Sequence, residues 1–385
     1  MRSQRVHPGD PHRGAMLGAG DSRMMTVDGI AERTLLDFGA ERLAALCSAL
    51  GVSDETRELR QFFRLLVGPW GQRPIGASPR SPSNVADDGA PYEFCVAFSR
   101  GLPEIQVYVD PRGEEPSPAS NLARARSILD AAAYELGAPL ERLRRLEDLF
   151  LPESPAPPFG LWIGASCSPG SGVRLKAYLN PHVRGRDRGV ALVTESMRRF
   201  GLARAWNELA GALHLRDGRD EVGIVSLDLS RSGAERIKLY VRHHLATVAR
   251  IAGVARLTGE HDPRHVTAFY SALAESAGPF QQKPAATVFA FVDDAPARPR
   301  SVALEFPIGA YVDSDEVARR RIAKCMGAFG LAAAPYEAAV RAFATRPLEL
   351  RAGIHAHVTL RRVGDAPRLA VYFASEAYAR KPEAR

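Results

Sequence analysis

The sequence predicts an α+β fold: a ten-stranded antiparallel β-barrel with a polar lumen, surrounded by α-helices and built from five ββ-helix repeats. Three observations predict it. Strand-like runs come in pairs, amphipathic helical stretches lie between the pairs, and a tyrosine recurs near the end of most second members. Gly, Pro, Asp and Ser cluster between the members of most pairs, as hairpin connections require. Hairpins alternating with helices do not make parallel crossovers, and closing ten strands on themselves leaves no edge.

The pairs, in order, are Glu93–Phe98 with Ile105–Val109, Gly160–Cys167 with Val173–Leu179, and Val222–Leu229 with Arg236–Val241. Thr287–Val292 with Ser301–Phe306 and Ala356–Arg361 with Arg368–Phe373 complete the set. Helical periodicity covers Leu122–Leu136, Glu195–Leu213, Leu245–Ala255 and Asp315–Phe329, and a further helix, Glu32–Leu50, precedes the first hairpin. Tyr108, Tyr178, Tyr240 and Tyr372 fall 70, 62 and 132 residues apart, the last being two periods. In the fourth repeat Phe306 is read as lying close to the corresponding place. Each unit is one supersecondary element that cannot bury its apolar face alone.

Composition narrows the function classes. With 45% hydrophobic and 25% charged residues the bulk of the chain is globular. There is no uninterrupted apolar run of about 18 residues, so no membrane span is expected. Cys47, Cys95, Cys167 and Cys325 are far apart, without metal-ligand spacing, which argues against a disulfide framework or zinc site and fits a reducing cytoplasm. Residues 1–24 lack the apolar core of a secretory signal and read as a disordered tail or upstream extension. Residues 25–385 then form a single domain.

The net charge of +7 suggests an anionic partner. Only Lys176, Lys238, Lys283, Lys324 and Lys381 are lysine; the other basic residues are arginine. Stretches such as Arg142, Arg144, Arg145 and Arg319, Arg320, Arg321 read as solvated helix faces rather than a nucleic-acid patch, since no nucleic-acid-binding motif accompanies them.

Alternation along the strands carries the chemistry. In RLKAY, Arg174, Lys176 and Tyr178 share one face, and in RIKLY, Arg236, Lys238 and Tyr240 do. Two of five lysines thus fall at one place in the repeat, each two residues before a tyrosine. If the aliphatic face packs under the helices, this cationic and aromatic face lines the lumen. Such a lumen suits a di- or triphosphate, with tyrosine π faces for an electron-poor organic group. GxxxxGK[ST], GxGxxG and DDxxD are all absent, so direct cationic binding is expected; Asp87 and Asp88 lack the downstream aspartate. A non-catalytic barrel holding a nucleotide or other acidic ligand, or a nucleic-acid binder, would use the same charges.

DDGAPYEFCVAF (Asp87–Phe98), VRLKAYLNP (Val173–Pro181) and RIKLYV (Arg236–Val241) resemble the ABBA-type aromatic prenyltransferases, specifically the dimethylallyltryptophan synthase type and its bacterial indole-prenylating members. The resemblance spans roughly residues 30–380. It implies transfer of a dimethylallyl group from dimethylallyl diphosphate to the indole of tryptophan or a tryptophan-derived metabolite, by metal-independent Friedel–Crafts alkylation with no cofactor. Tyrosine, another phenolic, an indole-containing peptide or a longer prenyl diphosphate are the alternatives. The implied partners are therefore a small aromatic acceptor and an allylic diphosphate, without nucleic acid or membrane, in a monomer or homodimer.

By the same resemblance Glu93 accepts a hydrogen bond from the indole N–H. Lys176, Arg236 and Lys238 hold the diphosphate, and Tyr178, Tyr240 and Tyr372 shield the allyl cation. Gln106 stands where many members place a diphosphate-binding arginine, so a charge is lost or supplied elsewhere, with Arg174 a candidate. Ala303 and Glu305 replace the Gln and Tyr of fungal members. The strand GLWIGASC lacks the lysine proposed as base in C4-prenylating members, so another group or water must take the ring proton. Trp162, on that strand, is read equally as acceptor pocket or core.

Overall fold

The computed structural model describes residues 31–378 except 168, 169, 171, 231–235, 260, 261, 293–296, 364 and 365. The tail expected over residues 1–24 lies outside the described residues. Ten strands close into one antiparallel barrel in which every neighbour is next in sequence, the first pairing with the last. They are β1 (Tyr92–Phe98), β2 (Glu104–Val109), β3 (Leu161–Cys167), β4 (Val173–Leu179) and β5 (Asp220–Leu229). β6 (Arg236–His243), β7 (Ala285–Val292), β8 (Ser301–Phe306), β9 (His355–Val363) and β10 (Ala366–Ala374) complete it. The five expected hairpins are all present, with strand ends shifted by no more than two residues. Among the described residues no helix is long and apolar enough to cross a membrane.

The helices are more numerous than the sequence pattern suggested. α1 (Leu35–Ala49) and α2 (Arg57–Val67) precede the barrel, and α3 (Pro118–Leu136) follows its first hairpin. The stretch read as one helix over Glu195–Leu213 is two, α4 (Gly189–Arg199) and α5 (Ala203–Ala212). Gly201, with φ of +71°, adopts the left-handed conformation that ends α4, while apolar spacing continues across the break. α6 (Val248–Ala255) pairs with α7 (Pro263–Ala274), and α8 (Asp315–Ala328) precedes α9 (Ala334–Phe343). α1 packs against α9, and its Arg42 donates to the carbonyls of Phe343 in α9 and of Ser375, just beyond β10.

Strand parity sends alternate residues into two environments. Tyr92, Phe94 and Val96 of β1 are fully buried against the helical layer, where Phe94 meets Phe63 of α2 and Phe343 of α9. Glu93, Cys95 and Ala97 point into the lumen instead. Phe306 belongs to the outer set, packed among Tyr270, Phe280 and Tyr311, so although close in sequence to the tyrosines' corresponding place it faces the other way. The arginine clusters are also less solvated than expected. Arg142 is buried with its guanidinium 4.4 Å from the Phe200 ring, and Arg319 pairs with Glu316 and Glu337. Arg144 and Arg320 remain exposed.

One buried network ties α8 to β9. Asp315, fully buried, accepts from the backbone N–H of Ile354 (3.0 Å), from His355 N (3.0 Å) and Nδ1 (2.8 Å), and from Arg346 (2.5 Å). Burial alone would raise its pKa, but the His355 contacts and these N–H donors bring it down to about 2. A carboxylate depressed on folding adds stability that is fully present above about pH 4 and is lost as pH falls toward 2. Asp315→Asn is expected to cost about 3 kcal/mol near neutrality, because Arg346 and His355 then face an uncharged amide. Urea unfolding should show that deficit shrinking as the pH approaches 2.

Candidate active site

The lumen holds two cavities that meet at a ring of tyrosines. One, of about 690 Å³, opens toward Glu93, Trp162 and Glu305, and the other, of about 610 Å³, toward Lys176, Arg236 and Lys238. Tyr108, Tyr178, Tyr240 and Tyr372 line both. Tyr108 stacks on Tyr372 with centroids 5.6 Å apart and meets Tyr178 edge-on at 5.5 Å, and Tyr178 lies 6.0 Å from Tyr240. The ring needs Gly164 beside it on β3, since a Cβ there would fall 2.7 Å from the Tyr178 ring.

The cationic cavity gathers Lys176, Arg236 and Lys238, as the alternation predicted, together with Gln106 and Arg174. Arg300, Arg361, Arg362 and Arg368 join them, so among the described residues eight cations face two carboxylates, Glu104 and Asp228. Asp228 lies 2.7 Å from Arg236 and 3.5 Å from Lys238. Burial would raise its pKa, but Lys238, Lys176 and Arg236 hold it down at about 2. Burial, and then the charge of Lys176, push the Lys238 ammonium well below its ordinary value; burial also lowers Lys176. The described walls therefore carry more positive than negative charge, which is the condition for binding a compact polyanion.

Gln106 does not leave a gap in that charge. Its amide donates to Glu104 (2.9 Å) and accepts from the Tyr108 hydroxyl (2.7 Å), while Glu104 pairs with Arg174 and with Arg368 (2.8 Å). Two arginines thus stand around the position where the resemblance led one to be expected. Arg368 was legible, because it precedes Tyr372 by four residues just as Arg174 and Arg236 precede their tyrosines. Tyr108, equally legible from its spacing, joins the three expected tyrosines in the ring.

The other cavity is aromatic and acidic. Glu93, buried on β1, lies opposite Tyr108. Burial, reinforced by Asp87 and opposed by Lys283, raises its pKa well above the usual carboxylate range. Trp162 lines the cavity while stacking on Phe159 at 3.9 Å, so it serves pocket and core together. Lys283 pairs with Asp87 (2.5 Å) and approaches His357 Nε2 (3.3 Å). Both Lys283 and Asp87 come from loops, where no periodic signal announces them.

A closed antiparallel barrel that sets a polycationic chamber against an aromatic, acid-bearing one across a tyrosine ring has the architecture of an ABBA-type aromatic prenyltransferase. Comparison with known proteins makes the assignment narrower. A family model described as tryptophan dimethylallyltransferase matches residues 40–338, and the chain belongs to that family. It is similar to 6-dimethylallyltryptophan synthase from Micromonospora olivasterospora, solved in complex with DMASPP and Trp, at 31% identity over 91% of this chain and 99% of that one, with a TM-score of 0.85. For 5-dimethylallyltryptophan synthase from Streptomyces coelicolor the values are 30%, 90%, 99% and 0.83. The prenyltransferase PriB, solved with L-tryptophan and dimethylallyl thiolodiphosphate, gives 28%, 91%, 98% and 0.82. The chain is a prenyltransferase.

Proposed function

We propose that this enzyme transfers a dimethylallyl group from dimethylallyl diphosphate to the indole ring of tryptophan or a tryptophan-derived metabolite, without a metal. The observation that carries the reading is the meeting of a cationic and an aromatic cavity at one ring of tyrosines, in a member of this family. The diphosphate binds Lys176, Arg236 and Lys238, with Gln106 presenting Glu104 and its two arginines. Those cations supply the neutralisation that a divalent ion would otherwise provide as the allylic C–O bond ionises. Tyr178, Tyr240, Tyr372 and Tyr108 hold the allyl cation between their π faces and exclude water.

Glu93 fixes the indole through its N–H. A desolvated carboxylate gains more from that donor than a hydrated one would, and the bond raises the electron density of the ring that attacks. The partners are then two small molecules, and the net positive charge is directed inward rather than toward nucleic acid. Cys47, Cys95, Cys167 and Cys325 are all buried free thiols, which suits a cytoplasmic protein.

Mass spectrometry of L-tryptophan, dimethylallyl diphosphate and enzyme in excess EDTA tests the proposal. A product heavier by one C5H8 unit is the expected result. No consumption of either substrate would overturn it. Geranyl diphosphate belongs in the same panel, because Ala290, Ala303 and Ala370 leave one wall of the cationic cavity thinly filled.

A further inference from the structure

The ring around the lumen has five places and only four tyrosines. Counting four residues on from the first inward residue of each second strand gives Tyr108 from Glu104, Tyr178 from Arg174, Tyr240 from Arg236 and Tyr372 from Arg368. On β8 the same count from Ser301 gives Glu305, which lines the aromatic cavity and not the cationic one. A carboxyl group therefore takes the fifth place, with access only to the acceptor side.

We propose that Glu305 is the base that takes the ring proton after alkylation, an assignment that rests on the prenyl-transfer reading above. In that step the C–H bond at the alkylated carbon breaks and its electron pair returns to the ring. The proton goes to a Glu305 carboxylate oxygen, and the resulting acid later releases it to water. Glu93 and Glu305 stand three strands apart through β10 and β9, roughly 14 Å along the wall at the usual strand spacing. That separation lets one carboxylate hold the N–H edge of a bicyclic ring while the other faces a carbon edge.

The surroundings fit a base. Burial pushes the Glu305 carboxyl up to about 7, against the pull of Lys283 and Arg242, which matches it to proton transfer near neutral pH. Lys283 Nζ, a donor only, is 3.3 Å from His357 Nε2, so the ring hydrogen of His357 belongs on Nδ1, 3.8 Å from Glu305 Oε1. His357 thus turns an N–H toward Glu305 at ion-pair rather than hydrogen-bond distance. Of the other carboxylates lining this cavity, Asp87 is engaged by Lys283, Asp220 by His243 and Arg250, and Glu221 by His182, while Glu93 holds the indole; among the described residues that leaves Glu305 as the carboxylate turned toward the reacting ring.

Glu305→Gln tests this with tryptophan deuterated on its ring carbons. Turnover is expected to fall on the order of 10²-fold. A primary deuterium effect absent from the wild type should appear, because deprotonation becomes rate-limiting, and dimethylallyl alcohol should accumulate as the stalled cation reverts and meets water. Glu305→Asp should recover part of the turnover and reduce the isotope effect, and it serves alone if the glutamine variant does not fold. Wild-type turnover in Glu305→Gln, or lost turnover with no isotope effect, would overturn the assignment. A wild-type enzyme that consumes no allylic diphosphate with any aromatic would instead remove the prenyl-transfer reading, and the base with it.

Discussion

Glu93→Gln is expected to lower kcat for indole prenylation by on the order of 10²–10³-fold while leaving diphosphate affinity unchanged. The substitution keeps size and one acceptor oxygen, so it removes charge rather than fit. Charge is what the step needs, because the ring becomes a cation once it has attacked and the N–H then becomes a far stronger donor. Glu93 is poorly solvated, and burial with the nearby Asp87 already raises its pKa well above the usual range. In the free enzyme its carboxylate is thus the minor form at low pH. Because the anion is the working form, kcat/KM should rise with pH through this raised pKa, and in the Glu93→Gln profile only the limb set by Glu305 should remain. Near-normal turnover in the variant would sink the role given to Glu93. Affinity is expected to survive because Glu93 faces only the acceptor cavity.

How much of this could be read beforehand depends on where the residues lie. Lys176, Tyr178, Lys238 and Tyr240 occupy strands of strict alternation, so their common face followed from period two alone. The same rule, applied to β8 by parity, leads to Glu305. Matching by aromatic type led to Phe306, one residue on and therefore on the opposite face. Parity decides orientation and residue type does not. Arg142 departs from a solvated face for a related reason, since an arginine stem on a short helix can cover an aromatic ring and be buried by it. The barrel itself was legible because five hairpins leave few ways to remove their edges. The second helix after several hairpins was not, because its signal merges with the first across a glycine turn, as at Gly201. Lys283 and Asp87 meet across 196 residues from two loops, a contact that only closure of the barrel brings about.

Replacing Lys238 should move affinity and stability in opposite directions. Lys238→Met keeps the apolar stem and removes the ammonium. Each charge-assisted contact to a diphosphate oxygen is worth about 1.5–3 kcal/mol, so Kd for inorganic diphosphate should rise roughly 10–100-fold. In the empty protein the same ammonium is a burden, because burial and the charge of Lys176 together depress its pKa. Removing it leaves Asp228 paired with Arg236 at 2.7 Å, so thermal unfolding of the empty variant should occur above the wild-type temperature. The depressed pKa also sets the sign of a proton linkage. As pH rises through it, the empty site loses a positive charge and diphosphate affinity falls; binding reverses that shift and takes up a proton. Calorimetry in buffers of different ionisation enthalpy should register this uptake in the wild type, reduced in Lys238→Met to what Lys176 contributes. Unchanged affinity with unchanged proton uptake would place the diphosphate elsewhere. A variant less stable than the wild type would show that Asp228 needs Lys238 as well as Arg236, making the lysine part of the wall as well as part of the site.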